Sequence, residues 1–239
     1  MSVKGINKIE DLLRSNSYPG RGIIVGKSAD GKSAMIAYFI MGRSTNSRNR
    51  IFERFEGGMR TKAFDESKLV DPSLIIYNPY LSYENMDIVT NGDQTNTVYD
   101  GLKAGVDFDK ALSSREFEPD FPNFTPRISS LLTYADGDFT YKMSILKSAD
   151  EKGSACDRFG YHYSAIQGFG HFIHTYECDG NPIPSFYGEP EKVVLPNTAS
   201  ELADIVWGSL NEDNKVSLFV RVVNLENGKA EEIIINKNK

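Results

Sequence analysis

Eight consecutive residues concentrate the polar chemistry of this chain: Arg43-Ser44-Thr45-Asn46-Ser47-Arg48-Asn49-Arg50. The run contains three guanidiniums, five polar side chains and no apolar member, so it has little to give a core. It offers fixed positive charge and planar forks that bind phosphate or carboxylate through two parallel hydrogen bonds, with amides and hydroxyls alongside. An anionic small molecule needs such a set. Taken alone, the run reads first as a solvated basic loop, and other segments must decide.

Three of them carry suitable residues. Asn78-Pro79-Tyr80-Leu81-Ser82-Tyr83 joins an amide, a rigid turn and two tyrosines, and by itself reads as an ordinary turn with packed aromatics. Asn91-Gly92-Asp93-Gln94-Thr95 has the character of a strand-to-helix junction, a capped start whose free backbone N–H groups also suit anions. Glu118, beside Pro119 and shortly before Thr125-Pro126-Arg127-Ile128, is a carboxylate held near an arginine and the best acid/base candidate. The three histidines argue for less. His171 and His174 are three apart, which on a strand points them to opposite faces. No acidic pair at ligand spacing lies nearby, so no metal site is expected. There is no G-x-S-x-G and no glycine-rich phosphate loop.

Size and charge limit what these residues can serve. The chain has 239 residues, 40% hydrophobic and 25% charged, with a formal net charge of −6. That length buries a real core, and the charge argues against nucleic acid as the main partner. Cys156 and Cys178 are too few for a disulfide framework, and free buried thiols are the expectation. No apolar run approaches the roughly 20 residues of a membrane span, and MSVKGINKIEDLL lacks a signal peptide's apolar core. A soluble, cytoplasmic protein is expected.

The elements that must position these side chains are mostly hairpins. A short helix is predicted over residues 5–14. Arg21–Lys27 and Lys32–Met41 follow as strands around Asp30-Gly31, and the second delivers the arginine run. Residues 52–72 read as loop with some helix. Leu74–Tyr77 and Asp87–Thr90 read as short strands, then Asp93 opens a helix that ends near Gly105, and Phe108–Phe117 reads as another. Hairpins return at Arg127–Tyr134 with Phe139–Leu146 and at Val216–Asn224 with Ala230–Ile235; between them Tyr161–Gln167 and His171–Cys178 read as strands separated by Gly168-Phe169-Gly170. Thr198-Ala199-Ser200-Glu201 is a capping box before a helix. The order is α+β, antiparallel sheets covered by helices, in a single domain over residues 1–239 with residues 1–20 as an extension.

Together the motifs resemble the archaeal-type IMP cyclohydrolase family with its bacterial IMP cyclohydrolase-like members. The resemblance rests on R-G-x-x-V-G at Arg21–Gly26, Y-x(4)-R-S-x(3)-R-N-R from Tyr38 to Arg50 and N-P-Y-x-x-Y at Asn78–Tyr83. It rests also on N-G-x-x-T at Asn91–Thr95 and E-x-D-x(4)-T-P-R-I from Glu118 to Ile128. Glu84 stands where the archaeal members carry Asn. The resemblance implies an Ntn-hydrolase-like four-layer αββα sandwich of antiparallel sheets flanked by helices, without the usual N-terminal nucleophile. It implies ring closure of 5-formamidoimidazole-4-carboxamide ribonucleotide (FAICAR) to IMP with loss of water, the last step of purine synthesis, with no cofactor and no metal. The partner it implies is a purine nucleotide; no membrane or nucleic acid is expected, and a homo-oligomer stays open. On that reading Arg48, Arg50, Tyr83 and Glu118 are the catalytic candidates. Arg21, Tyr38, Arg43, Ser44, Asn49, Asn78, Tyr80, Asn91, Asp93, Thr95 and Arg127 are the substrate-binding ones. A non-catalytic nucleotide-binding homologue and another Ntn-type amide hydrolase are the alternatives.

Overall fold

The computed structural model describes residues 5–69, 72 and 75–238. Its elements in chain order are α1 (Ile9–Ser15), β1 (Arg21–Lys27), β2 (Ser33–Met41), α2 (Thr45–Arg48), β3 (Arg50–Phe55) and β4 (Gly58–Ala63). A 3₁₀ turn at Glu66–Lys68 precedes β5 (Tyr80–Tyr83), β6 (Met86–Thr90), α3 (Gln94–Lys103), α4 (Phe108–Leu112), β7 (Arg127–Ala135) and β8 (Asp138–Ser148). The last are β9 (Cys156–Ser164), β10 (Phe169–His174), β11 (Glu191–Val194), α5 (Ala199–Ser209), β12 (Lys215–Asn224) and β13 (Ala230–Asn236).

Two antiparallel sheets result, of order β11-β10-β1-β2-β12-β13 and β3-β4-β5-β6-β7-β8-β9. The sequence pattern of β2 explains why they stack. Ile36, Tyr38 and Ile40 enter the core between the sheets, while Met35, Ala37, Phe39 and Met41 alternate onto the opposite face against α1 and α5. A strand covered on both faces can be apolar at nearly every position, because successive side chains point to opposite sides. On the second sheet, Ile88 and Leu131 turn outward onto Val98, Phe108 and Leu112 of α3 and α4. Helices thus cover both outer faces of an α+β sandwich. No described helix is long and apolar enough to cross a membrane.

At the end of the sandwich where β5 turns into β6, buried charges tie the sheets together. Asp87 of β6 accepts from Tyr80 Oη (2.7 Å), Tyr134 Oη (2.8 Å) and Nε of Arg221 on β12 (3.1 Å). Arg221 also pairs with Glu232 of β13, which meets Nε of Arg54 on β3 at 2.5 Å.

Several expectations are corrected. Residues 52–72 contain most of a hairpin, β3–β4, turned at Gly57 (φ +80°); its charged residues lie on an edge, so it shows no clear apolar period. In the expected strand Leu74–Tyr77, Leu74 lies outside the described residues, and Ile75–Tyr77 is irregular. Tyr80 begins β5 rather than ending a strand. Helix α4 stops at Leu112, β9 starts at Cys156, β10 stops at His174, and β11 was not foreseen. Cys156 is half-buried and Cys178 exposed, so neither is the buried thiol expected, although both are free.

Candidate active site

The site forms where β1, β3 and β7 begin, at the end of the sandwich opposite Asp87. Arg21 heads β1 and is 9% exposed, and its backbone N–H donates to Thr175 Oγ1 at 3.1 Å. Gly20 before it takes φ +78°, and a Cβ there would lie 2.3 Å from Thr175 Oγ1 and 2.4 Å from the Tyr176 ring. Only glycine lets the chain enter β1 this close to β10. Arg50 heads β3 with no exposure at all; Nε donates to the Ser47 carbonyl at 2.8 Å and Nη2 to Met41 O at 3.4 Å. Arg127 heads β7, 7% exposed, with Nη1 2.7 Å from both Gln94 Oε1 and Asp93 Oδ1.

Glu118 is 2% exposed and its carboxylate lies 3.7 Å from Arg21 Nη2. A compact loop holds it. Its N–H donates to Thr125 O at 2.8 Å, and the Asp120 carboxylate accepts from Thr125 N–H (2.6 Å) and Oγ1 (2.5 Å). Tyr176 Oη sits 2.5 Å from the same Oγ1 and stacks on Tyr18, centroids 5.8 Å apart. Tyr38, fully buried, meets Tyr77 hydroxyl to hydroxyl at 2.8 Å.

Three guanidiniums surround this carboxyl, and each retains a buried N–H without a protein acceptor among the described residues: Arg21 Nε, Arg50 Nη1 and Arg127 Nε. Buried donors left unpaired are rare because each forfeits its hydration. Burial pushes the Glu118 carboxyl above its ordinary range, with Arg21, Arg127 and Arg50 pulling back. Burial likewise lowers Arg50, although its tyrosine neighbours partly restore it. For Arg21 the opposition of burial is outweighed by Glu118 and nearby tyrosines, and it is held well above its usual value. The cluster therefore presents donors in excess around the Glu118 carboxyl, with Arg127 also held by Asp93, and burial shields it from bulk water. It can bind an anion with carbonyl oxygens, and in so buried a place these charges act strongly on any oxygen that gains charge.

Of the predicted residues, the structure brings Arg21, Tyr38, Arg50, Glu118 and Arg127 together. Others support them. Asn49 splints the chain to Asp65 through both backbone groups, at 2.8 Å each. Asn91 donates to Pro126 O (2.8 Å) and accepts from Ile128 N–H (2.9 Å), fixing the head of β7. Thr95 is spent on Thr90 Oγ1 (2.6 Å) and Gly92 O (3.1 Å). Asp93 precedes α3 but makes no side-chain cap; its carboxylate bridges Arg127 and Arg115. Ser44 caps α2 with Ser47.

The remaining predicted residues point elsewhere. Arg48 Nε binds Gly42 O (2.8 Å) and Nη2 binds Asn214 Oδ1 (3.2 Å) at the surface, while Arg43 is exposed and pairs with Asp179 (2.5 Å) over the Tyr18 ring. Tyr80 belongs to the Asp87 network. Tyr83 packs edge-on against Tyr99 of α3, and Asn78 reaches Asn96 at 3.2 Å. His171 and His174 point to opposite faces of β10: His171 bonds Tyr141 Oη (2.7 Å), and His174 bonds the Tyr176 carbonyl (2.9 Å). Sequence reasoning missed Tyr18, Tyr77 and Tyr176. Thr125 and Asp120 stood within a quoted motif, but only folding joins them to Tyr176.

Residues 18–229 match the family described as IMP cyclohydrolase-like protein. Over 189 residues the chain is 30% identical to the IMP cyclohydrolase of Methanopyrus kandleri, an alignment covering 71% of this chain and 89% of that protein. Over 173 residues it is 26% identical to the IMP cyclohydrolase of Methanococcus aeolicus, covering 67% of this chain and 75% of that protein.

Proposed function

We infer the chemistry of this site from the premise that the chain belongs to the IMP cyclohydrolase-like protein family. It is an IMP cyclohydrolase, an enzyme that closes FAICAR to IMP with loss of water. The reaction belongs at the Arg21–Arg50–Arg127–Glu118 cluster. The observation that supports this is the set of three buried guanidiniums around one buried carboxyl, each with an N–H still unpartnered.

The carboxamide nitrogen of FAICAR must attack the formyl carbon of the same molecule. Holding the two groups face to face supplies much of the acceleration, because no second reactant has to be captured. Glu118 takes a carboxamide proton as the N–C bond forms, and a carboxyl pushed upward by burial is a better base than an ordinary one. Arg50 and Arg21, the enclosed cations between the sheets, hold the oxygen that gains charge. Arg127, next to the start of α3, takes the 5′-phosphate, where a fork and helix N–H groups act together.

The same reading makes residues 1–239 one domain and its α+β sandwich Ntn-hydrolase-like, working in the cytoplasm. Arg21 stands at the head of β1, where an Ntn nucleophile would begin; Ser2 lies outside the described residues. The test is direct: pure protein with FAICAR, followed by IMP absorbance. Steady turnover is expected. Tight IMP binding without turnover would mean a nucleotide-binding homologue, and acid release from amides instead would mean an amide hydrolase.

A further inference from the structure

We propose that Tyr77, acting through Tyr38, is the proton source for the oxygen that leaves as water. This rests on the cyclohydrolase reading of the same chamber. The two hydroxyls lie 2.8 Å apart, and that contact is the only hydrogen bond either hydroxyl makes among the described residues. Two phenols carry two hydrogens, and one satisfies the mutual bond. The other has no protein acceptor, and the charged groups beside the pair, Arg21 and Arg50, are donors only. Its acceptor must come from the ligand, and the group of FAICAR that needs a proton is the formyl oxygen.

The chain takes trouble to bring Tyr77 there. Residues 75–77 form no strand, yet Thr61 of β4 replaces the missing ladder. Its N–H donates to Tyr77 O (2.8 Å), while its Oγ1 accepts from Tyr77 N–H (2.8 Å) and lies 2.6 Å from Ile75 O. Tyr77 is 6% exposed and Tyr38 wholly buried, so the shared proton is shielded from bulk water.

The protons balance. As the N–C bond forms, Glu118 takes one carboxamide hydrogen and the tyrosine pair gives one to the former formyl oxygen, leaving a phenolate beside Arg21 and Arg50. As the C–O bond breaks, Glu118 returns its proton to the departing hydroxyl, which leaves as water. The pair takes the hydrogen of the former formamide nitrogen, and both groups end as they began.

The test compares wild type, Tyr77→Phe, Tyr38→Phe and the double variant on FAICAR. Tyr77→Phe keeps the ring and is expected to lower kcat about 10²-fold, with KM and IMP affinity nearly unchanged. The double variant should be no worse than the poorer single one, because the pair acts as a unit. Replacing Tyr77 by 3-fluorotyrosine covers the case in which the Phe variant folds poorly: it keeps the hydroxyl but alters its strength as a donor, and should change kcat while leaving KM in place. Full kcat in folded Tyr77→Phe, multiplicative losses in the double variant, or a kcat untouched by 3-fluorotyrosine each overturn the proposal. Failure of the wild type to turn over FAICAR would instead overturn the functional reading beneath it.

Discussion

At Glu118, burial raises the carboxyl's pKa and three arginines oppose it without prevailing. A carboxyl raised on folding contributes fully below its unfolded value, about 4.3, and that contribution is lost as pH rises through the folded value. Glu118→Gln does not titrate, so the melting-temperature difference between variant and wild type should move in the variant's favour as pH rises above the ordinary carboxylate range, through the raised value of Glu118. In catalysis, the acid limb of kcat/KM should lie above the ordinary carboxylate range, and Glu118→Gln should abolish it and cost about 10²–10⁴-fold in rate. The arginines should separate: Arg50→Lys lowers kcat with KM held, whereas Arg127→Lys mainly raises KM. Residue types and the family resemblance together named Glu118, Arg48, Arg50 and Tyr83 as catalytic candidates. They could not sort three arginines within eight residues, because which one is buried depends on β3 starting at Arg50, while α2 turns Arg48 outward.

At the level of elements, what was legible had a strong local cause. The hairpins around Asp30-Gly31, Asp136-Gly137 and Asn227-Gly228 and the capping box at Thr198 form as read, because turn chemistry and capping act within a few residues. Thr198→Ala should cost about 1 kcal/mol in denaturant unfolding and leave KM alone, since α5 lies on the sheet face away from the chamber. Asn91→Ala is different. It strips two backbone groups of their partners and should cost about 2–3 kcal/mol, with KM rising as Arg127 loosens. The missed elements are the ones fixed from a distance. β3–β4 pairs at a charged edge, β5 lies in a segment that reads as a turn, and Ile75–Tyr77 depends on Thr61, fourteen or more positions earlier.

For the whole molecule, two sheets must keep their spacing at both ends. One end is closed by Asp87, Arg221, Glu232 and Arg54, a chain of ion pairs in which each charge meets its opposite across the gap. Asp87→Ala leaves Arg221 short of its partner and should cost about 3–5 kcal/mol, read by urea unfolding, with KM for FAICAR unchanged. Pairing Asp87→Leu with Arg221→Met should recover much of it, since apolar replacement of a buried pair is often neutral. The other end is closed by nothing comparable. Arg21 and Arg50 share the single Glu118 carboxyl, while Arg127 is paired with Asp93, so the cluster keeps more positive than negative charge. Mass action then governs how robust the molecule is in a given solution. Any small oxyanion that enters only the folded chamber stabilises it by RT ln(1 + [L]/Kd), about 2.7 kcal/mol at a hundredfold excess over Kd. Inorganic phosphate should therefore raise the melting temperature over a bulky monovalent anion at equal ionic strength and compete with FAICAR. The molecule's shelf life would then follow its storage buffer, and in a cell its nucleotide supply.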